Sequence, residues 1–400
     1  MELKPSAPWF ANAWPPGIVM RPHKTTVRND AREHRQEEYM LGFEGRISSI
    51  CGCHAPLSGL ADPGRRAFVA GTAALGALAA TGCATSQPAG PHRIDVHHHI
   101  SPPAWVTALK AAKLDSPPVN NWTPAQSIED LDRGGVATAI TSPTLPAAGF
   151  LNAADAARVV RASNEYARKL ADDSKGRFRM FAMLPMPHVD ETLKEIAYAM
   201  DVLKADGVAF MTSYGNKYLG DAAFAPVMDE LHRRKATAYT HPNDPACCVN
   251  TGSGIPPVII EYGTDTTRTI ASLIFSGTAR RCKDINFIFS HAGGTISALT
   301  ERFLVQIVSF PQIKQRGFDA DRVLSELRQF YYDTAQASNP VAMASLTKFI
   351  PVSNIVYGTD YPYRTAAEHT KGLAEVFSGA DLRAIERENA LRILPRMRGA

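Results

Sequence analysis

Arg93-Ile94-Asp95-Val96-His97-His98-His99 decides the reading of this chain. The run is β-prone and ends in histidines, and in a strand residues i and i+2 face the same side. His97 and His99 therefore converge, while His98 points away from them. Neutral imidazole is a common ligand of divalent transition metals, and two imidazoles fixed on one strand lose little freedom on binding one ion. A chance histidine cluster would stand alone. Here the chain downstream supplies further ligand types at the ends of later strands.

From residue 93 onward, apolar runs alternate with helix-like stretches. Eight candidate strands can be marked: Arg93–His97, Val136–Pro143, Phe178–Pro185, Gly207–Ser213, Ala236–His241, Ile285–His291, Phe330–Thr334 and Ile355–Asp360. Helical segments are expected over Ala153–Asp172, Asp190–Ala205, Phe224–Arg234, Thr266–Arg280, Ile296–Phe310 and Asp321–Gln329. The strands are nearly continuous apolar runs, as when both faces of a parallel sheet are buried. This α/β alternation predicts a (β/α)8 TIM barrel, typically about 250 residues long. A doubly wound open sheet is the alternative, but no G-x-G-x-x-G follows any strand.

Chemistry in such a barrel sits at the C-terminal ends of the strands. Those ends carry His97 and His99 on the first, His241 on the fifth, His291 on the sixth and Asp360 on the eighth. Three imidazoles and one carboxylate suit one divalent metal ion, zinc first and manganese or iron as alternatives. Catalysis needs a further position left open for water or substrate.

Asp95-x-His97-x-His99, His241-Pro242, Ser290-His291-Ala292-Gly293-Gly294 and Gly358-Thr359-Asp360-Tyr361-Pro362 resemble the amidohydrolase superfamily. Together with Asp265-Thr266-Thr267-Arg268 and Leu273–Thr278, they are most similar to its branch of aminocarboxymuconate-semialdehyde and 6-methylsalicylate decarboxylases. The resemblance covers about residues 93–395 and implies a barrel of the metal-dependent hydrolase type. It implies His97, His99, His241 and Asp360 as metal ligands, and His291, with Asp360, as catalytic acid/base. It places substrate-carboxylate contacts at Arg302, often across a homodimer interface, and at Arg268. Two-metal relatives carry a carboxylated lysine on the fourth strand. Gly207–Ser213 contains neither lysine nor acid, so one metal is expected. The segment Gln126–Asp132 lacks the arginine that precedes Leu-Asp in the muconate-semialdehyde enzyme, which favours an aromatic acid.

The implied activity is non-oxidative decarboxylation of a small, ortho-hydroxybenzoate-like acid. Hydrolysis of a lactone, ester or amide at the same mononuclear site is the alternative, and a metal- or ligand-binding barrel without turnover is a third reading. Tyr214, Phe224, Trp122 and Tyr363 are candidate pocket residues.

Composition sets the outer limits. A net charge of +4 on 43 basic and 39 acidic residues is too small to argue for nucleic acid. The six cysteines suggest no disulfide framework, and Cys51-Gly-Cys53-His54 lacks a second half as a metal site. Residues 1–60 show no sustained period and read as a disordered extension, with the true start expected downstream, at Met40. Residues 61–91 hold Arg65-Arg66, a short apolar run to Ala80 and a Pro/Gly spacer, a pattern that resembles a twin-arginine export signal. The apolar run of about 14 residues is too short to span a bilayer. Export to the periplasm is expected, with cytoplasmic residence as the alternative and Cys83 as a candidate lipid anchor. Residues 92–400 form the catalytic domain.

Overall fold

The computed structural model describes residues 90–143, 147–248 and 254–397. The disordered extension expected over 1–60, the twin-arginine signal and Cys83 lie outside the described residues.

All eight expected strands form, and they join one parallel sheet in chain order. They are β1 (Arg93–Ile100), β2 (Val136–Pro143), β3 (Phe178–Met183), β4 (Gly207–Met211), β5 (Thr237–His241), β6 (Asn286–Phe289), β7 (Tyr331–Asp333) and β8 (Ile355–Val356). Backbone bonds from Val96 N to Tyr357 O (3.0 Å), from Asp360 N to His97 O (2.8 Å) and from His99 N to Tyr361 O (2.8 Å) close the barrel between first and last strands. Every residue of β1 is buried, as its continuous apolar and ligand-bearing sequence requires.

The barrel interior is filled by Ile94, Val96, Ile140, Phe181, Tyr239, Ile288 and Val356, packed against Ala390, Ile393 and Leu394. Thr237 Oγ1 donates to Ile393 O, and Asn389 Nδ2 donates to Ile355 O at 2.6 Å. The C-terminal segment therefore stops the barrel at the strands' N-terminal ends, and only the opposite end is left for a site.

Helices cover the outside, among them α1 (Pro124–Gly134), α2 (Ala153–Asp173), α3 (Val189–Asp201), α4 (Ala225–Arg234), α5 (Glu261–Phe275), α6 (Ile296–Leu304), α7 (Ala320–Leu327) and α8 (Pro340–Leu346). No described helix is long and apolar enough to cross a membrane. The expected helix Thr266–Arg280 begins earlier, at Glu261, and stops at Phe275 because Gly277 takes φ +83°, a left-handed value that no helix continues through. The expected strand to His291 ends at Phe289, since His291 and Ala292 turn at φ 54° and 57°.

Candidate metal centre

β1 carries a bulge where its ligands sit. Asp95 pairs with Ala139 and His98 with Thr141, so β1 spends one residue more than β2 over this stretch. Asp95 fastens the irregular segment. One carboxylate oxygen accepts from His97 N (3.0 Å) and Thr359 N (3.1 Å), and the other from Thr359 Oγ1 (2.6 Å) and His98 Nδ1 (3.2 Å). His98 Nε2 lies 2.9 Å from Ser127 Oγ, and its ring stacks on Tyr361. His98 is thus turned away from its neighbours, as expected, and serves the structure.

His97 and His99 converge with their Nε2 atoms 3.2 Å apart. Asp360, at the mouth end of β8, places Oδ1 3.0 Å from His97 Nε2 and 3.1 Å from His99 Nε2. The last residue of β5, His241, brings its Nε2 to 3.8 Å from the same oxygen. The four donor atoms lie within 4.8 Å of one another, and all four residues are buried. Ligands about 2.0–2.1 Å from a tetrahedral ion stand roughly 3.4 Å from each other, close to the observed separations. Buried His241 Nε2 has no hydrogen-bond partner among the described residues. Its Nδ1 lies 2.7 Å from Pro242 O, which leaves Nε2 as the lone-pair nitrogen facing the cluster. The donor set fits one divalent ion.

Charge within the cluster follows its packing. Burial would lower the His97 pKa, but Asp333 and Asp360 outweigh it and raise the pKa to about 10. Burial lowers His241 to about 3 and also lowers His99. Burial would raise Asp360, but the contacting His97, with His241 and His291, holds it well below the usual carboxylate range.

Asp333, the last residue of β7, was not singled out in the sequence. Its Oδ2 lies 2.8 Å from His97 Nδ1, and its Oδ1 accepts from His291 N (2.8 Å) and Ala335 N (3.0 Å). It orients a ligand and anchors the turn that carries His291. The expected strand ran one residue further, to Thr334, so Asp333 fell just inside its end. Gly358 is required by close approach: a Cβ there would stand 2.9 Å from His97 Cβ and 3.1 Å from Asp333 Cβ.

His291 Nε2 lies 3.4 Å from Asp360 Oδ2, the carboxylate oxygen other than the one that meets the three imidazoles, and its ring centroid is 5.2 Å from that of His97. Asp360 and His241 line a cavity of about 430 Å³ whose other walls are apolar (Leu114, Val119, Val258), aromatic (Tyr262, Tyr363) and polar (Asn243, Asp244, Gln336). His291 lines a neighbouring cavity of about 370 Å³. This size and mixed lining suit a small aromatic molecule.

The two expected arginines stand elsewhere. Arg302, on α6, is exposed and donates to Gln306 Oε1 at 3.4 Å. Arg268, on α5, faces Glu261 Oε2 (3.4 Å), Asp265 Oδ1 (3.9 Å) and Cys248 Sγ (3.6 Å) instead of the cavity. No arginine or lysine is among the described residues lining the larger cavity. Of the four candidate pocket aromatics only Tyr363 lines it. Tyr214 and Phe224 pack in the core, and Trp122 Nε1 donates to Ser127 Oγ beneath His98. Cys247 and Cys248, in the loop after β5, form a disulfide that the cysteine spacing had not suggested.

Residues 94–396 match the family model described as amidohydrolase. The chain is 36% identical over 327 residues to the decarboxylase yanB of Aspergillus niger, covering 76% of this chain and 88% of that one. It is 34% identical over 328 residues to the 6-methylsalicylic acid decarboxylase acuB of Aspergillus aculeatus, covering 77% and 97%. Its fold is similar to that of a dihydroxybenzoic acid decarboxylase from Polaromonas with bound manganese and 2-nitroresorcinol, with a TM-score of 0.69, 18% identity and coverage of 77% and 98%.

Proposed function

We propose that this chain, which belongs to the amidohydrolase family, is a metal-dependent decarboxylase that releases carbon dioxide from a small ortho-hydroxybenzoic acid of the 6-methylsalicylate type. It is a carboxy-lyase of that superfamily. The observation that carries the substrate class is the larger cavity: His241 and Asp360 of the His/His/His/Asp cluster line it beside apolar, aromatic and uncharged polar side chains and Asp244, in a chain that matches 97% of the length of a 6-methylsalicylic acid decarboxylase.

His97, His99, His241 and Asp360 would hold a divalent ion, which would supply Lewis acidity at the mouth of the barrel. We propose zinc, from the nitrogen-rich donor set. Manganese, the ion in the Polaromonas relative, is the second occupant to test. Tyr363, Tyr262 and the apolar wall exclude water and hold the ring near Asp360. His291 and Asp360 Oδ2 form the pair that delivers a proton to the ring carbon. The carbon–carboxylate bond then breaks, its electrons return to the ring, and carbon dioxide leaves. Such positioned proton transfer is worth about 10²–10⁴ in rate.

Among the described residues, the cavity's lining offers the acid no cationic side chain. We propose that Arg302 of a second copy supplies one. Its exposed position, with exposed Val305 and Phe310 nearby in the chain, supports a homodimer contact there. From the Arg65-Arg66 pattern we also propose twin-arginine export to the periplasm, with lipid attachment at Cys83. Fractionation of the native producer tests this, and a wholly cytoplasmic protein would refute it.

The activity test incubates metal-loaded protein with a panel of ortho-hydroxybenzoic acids and follows carbon dioxide, with His291→Ala as control. Release that the variant abolishes supports the proposal. No release, beside metal-dependent opening of simple lactones, refutes it.

A further inference from the structure

Asp360 has two oxygens with different tasks. Oδ1 faces the three imidazoles, whereas Oδ2 faces His291 Nε2 at 3.4 Å. A carboxylate on a short side chain can rotate and give both oxygens to an ion, which would consume the open position and withdraw Oδ2 from the cavity. Something must hold it.

Gln336 Nε2 donates a hydrogen bond to Asp360 Oδ2. The glutamine is exposed, so core packing does not set its shape. Its backbone nevertheless sits at φ +53°, a left-handed value costly for a side chain with a Cβ. Gln336 N donates to Nε2 of buried His369 at 2.8 Å, and His369 Nδ1 donates to Thr365 O at 2.9 Å, which fixes the acceptor tautomer. The turn is also tied to the cluster through Asp333, whose Oδ1 accepts from Ala335 N. Gln336 lines both the cavity over Asp360 and His241 and the cavity over His291.

We infer that Gln336 is a positioning residue, which holds Asp360 so that Oδ1 stays with the imidazoles and Oδ2 stays with His291 on the cavity side. Resting on the decarboxylase reading, the inference adds that proton delivery depends on this carboxamide. The strained turn and the His369 acceptor aim one amide hydrogen at Oδ2. The amide's second hydrogen is left to point toward the cavity, where a carboxylate can accept it.

The test compares Gln336→Met, which keeps the shape and loses the donor, with Gln336→Glu, which keeps the shape and sets a second carboxylate beside Asp360. Manganese affinity and the manganese electron paramagnetic resonance spectrum are read first, then kcat and KM separately. Partners of metal ligands are worth about 10- to 100-fold in affinity or activity. Both variants are expected to lose about that factor in manganese affinity, with an altered spectrum, and to lose kcat more than KM rises. Circular dichroism checks folding, and either variant alone decides the matter if the other fails to fold. Folded variants with wild-type affinity, spectrum and kcat overturn the inference, as does a loss of kcat with an unchanged metal signature. The metal readouts need no turnover, so failure of the decarboxylase reading leaves them interpretable.

Discussion

Asp333 makes the sharpest case at the scale of single residues. It touches His97 and carries the turn of His291, so Asp333→Asn should lower metal affinity about 10- to 100-fold. Titration against a competing chelator measures this, and unchanged affinity would contradict the role given to Asp333. Asp333 also governs the metal-free protein. The folded pKa of His97 is raised from 6.5 to about 10, so this stabilisation is full below pH 6.5 and disappears as pH rises through about 10. The melting temperature of metal-stripped protein should therefore fall across that window, and Asp333→Asn should flatten the decline. A flat wild-type profile would contradict it. The ligands themselves were legible because period-2 spacing and strand ends are local patterns. Asp333 ends β7 one residue before the end expected at Thr334, so strand-end reading alone passes over it. Gln336 escapes it too, because its role arises from a left-handed turn and from His369, which is distant in sequence.

Among the elements, the seam between β1 and β8 determines whether the site exists. Asp95 bridges it with bonds to Thr359 N and Thr359 Oγ1 while holding His97 N. Asp95→Asn replaces an acceptor-only group with one that has mismatched donors, and should cost about 1–3 kcal/mol in urea unfolding. Activity should fall with it, because the bulged β1 carries two ligands. A variant as stable as wild type would show that the seam does not depend on Asp95. Strand and helix identities followed from apolar periodicity, whereas their ends were set by turns. β8 is short in the ladder because Tyr357 N bonds Ile385 O, although the chain runs on beside β1 to Asp360. The sequence around Gly277 and His291 did not reveal that their backbones turn left-handed.

At the scale of the whole molecule, the positions of the two arginines bear on whether one copy suffices. Arg302 lies off the cavity of its own chain and Arg268 is engaged with Glu261 and Asp265. The motif match gave positions in sequence, and neither residue reaches the site within one chain. If a second copy contributes Arg302, sedimentation should show a dimer, and Arg302→Ala should raise KM about 10-fold or more, as expected for losing a charge-assisted contact of about 1.5–3 kcal/mol. A monomer with full activity would remove that proposal and leave the metal centre as it stands. The centre itself is tested most directly by one experiment in deuterium oxide: metal-stripped protein, then the same sample with zinc or manganese restored, is given 6-methylsalicylate. A metal-dependent decarboxylase yields 3-methylphenol and carbon dioxide only after metal is restored, with deuterium at the ring carbon that bore the carboxylate. Product formation that is equal with and without metal, or none in either, would contradict this.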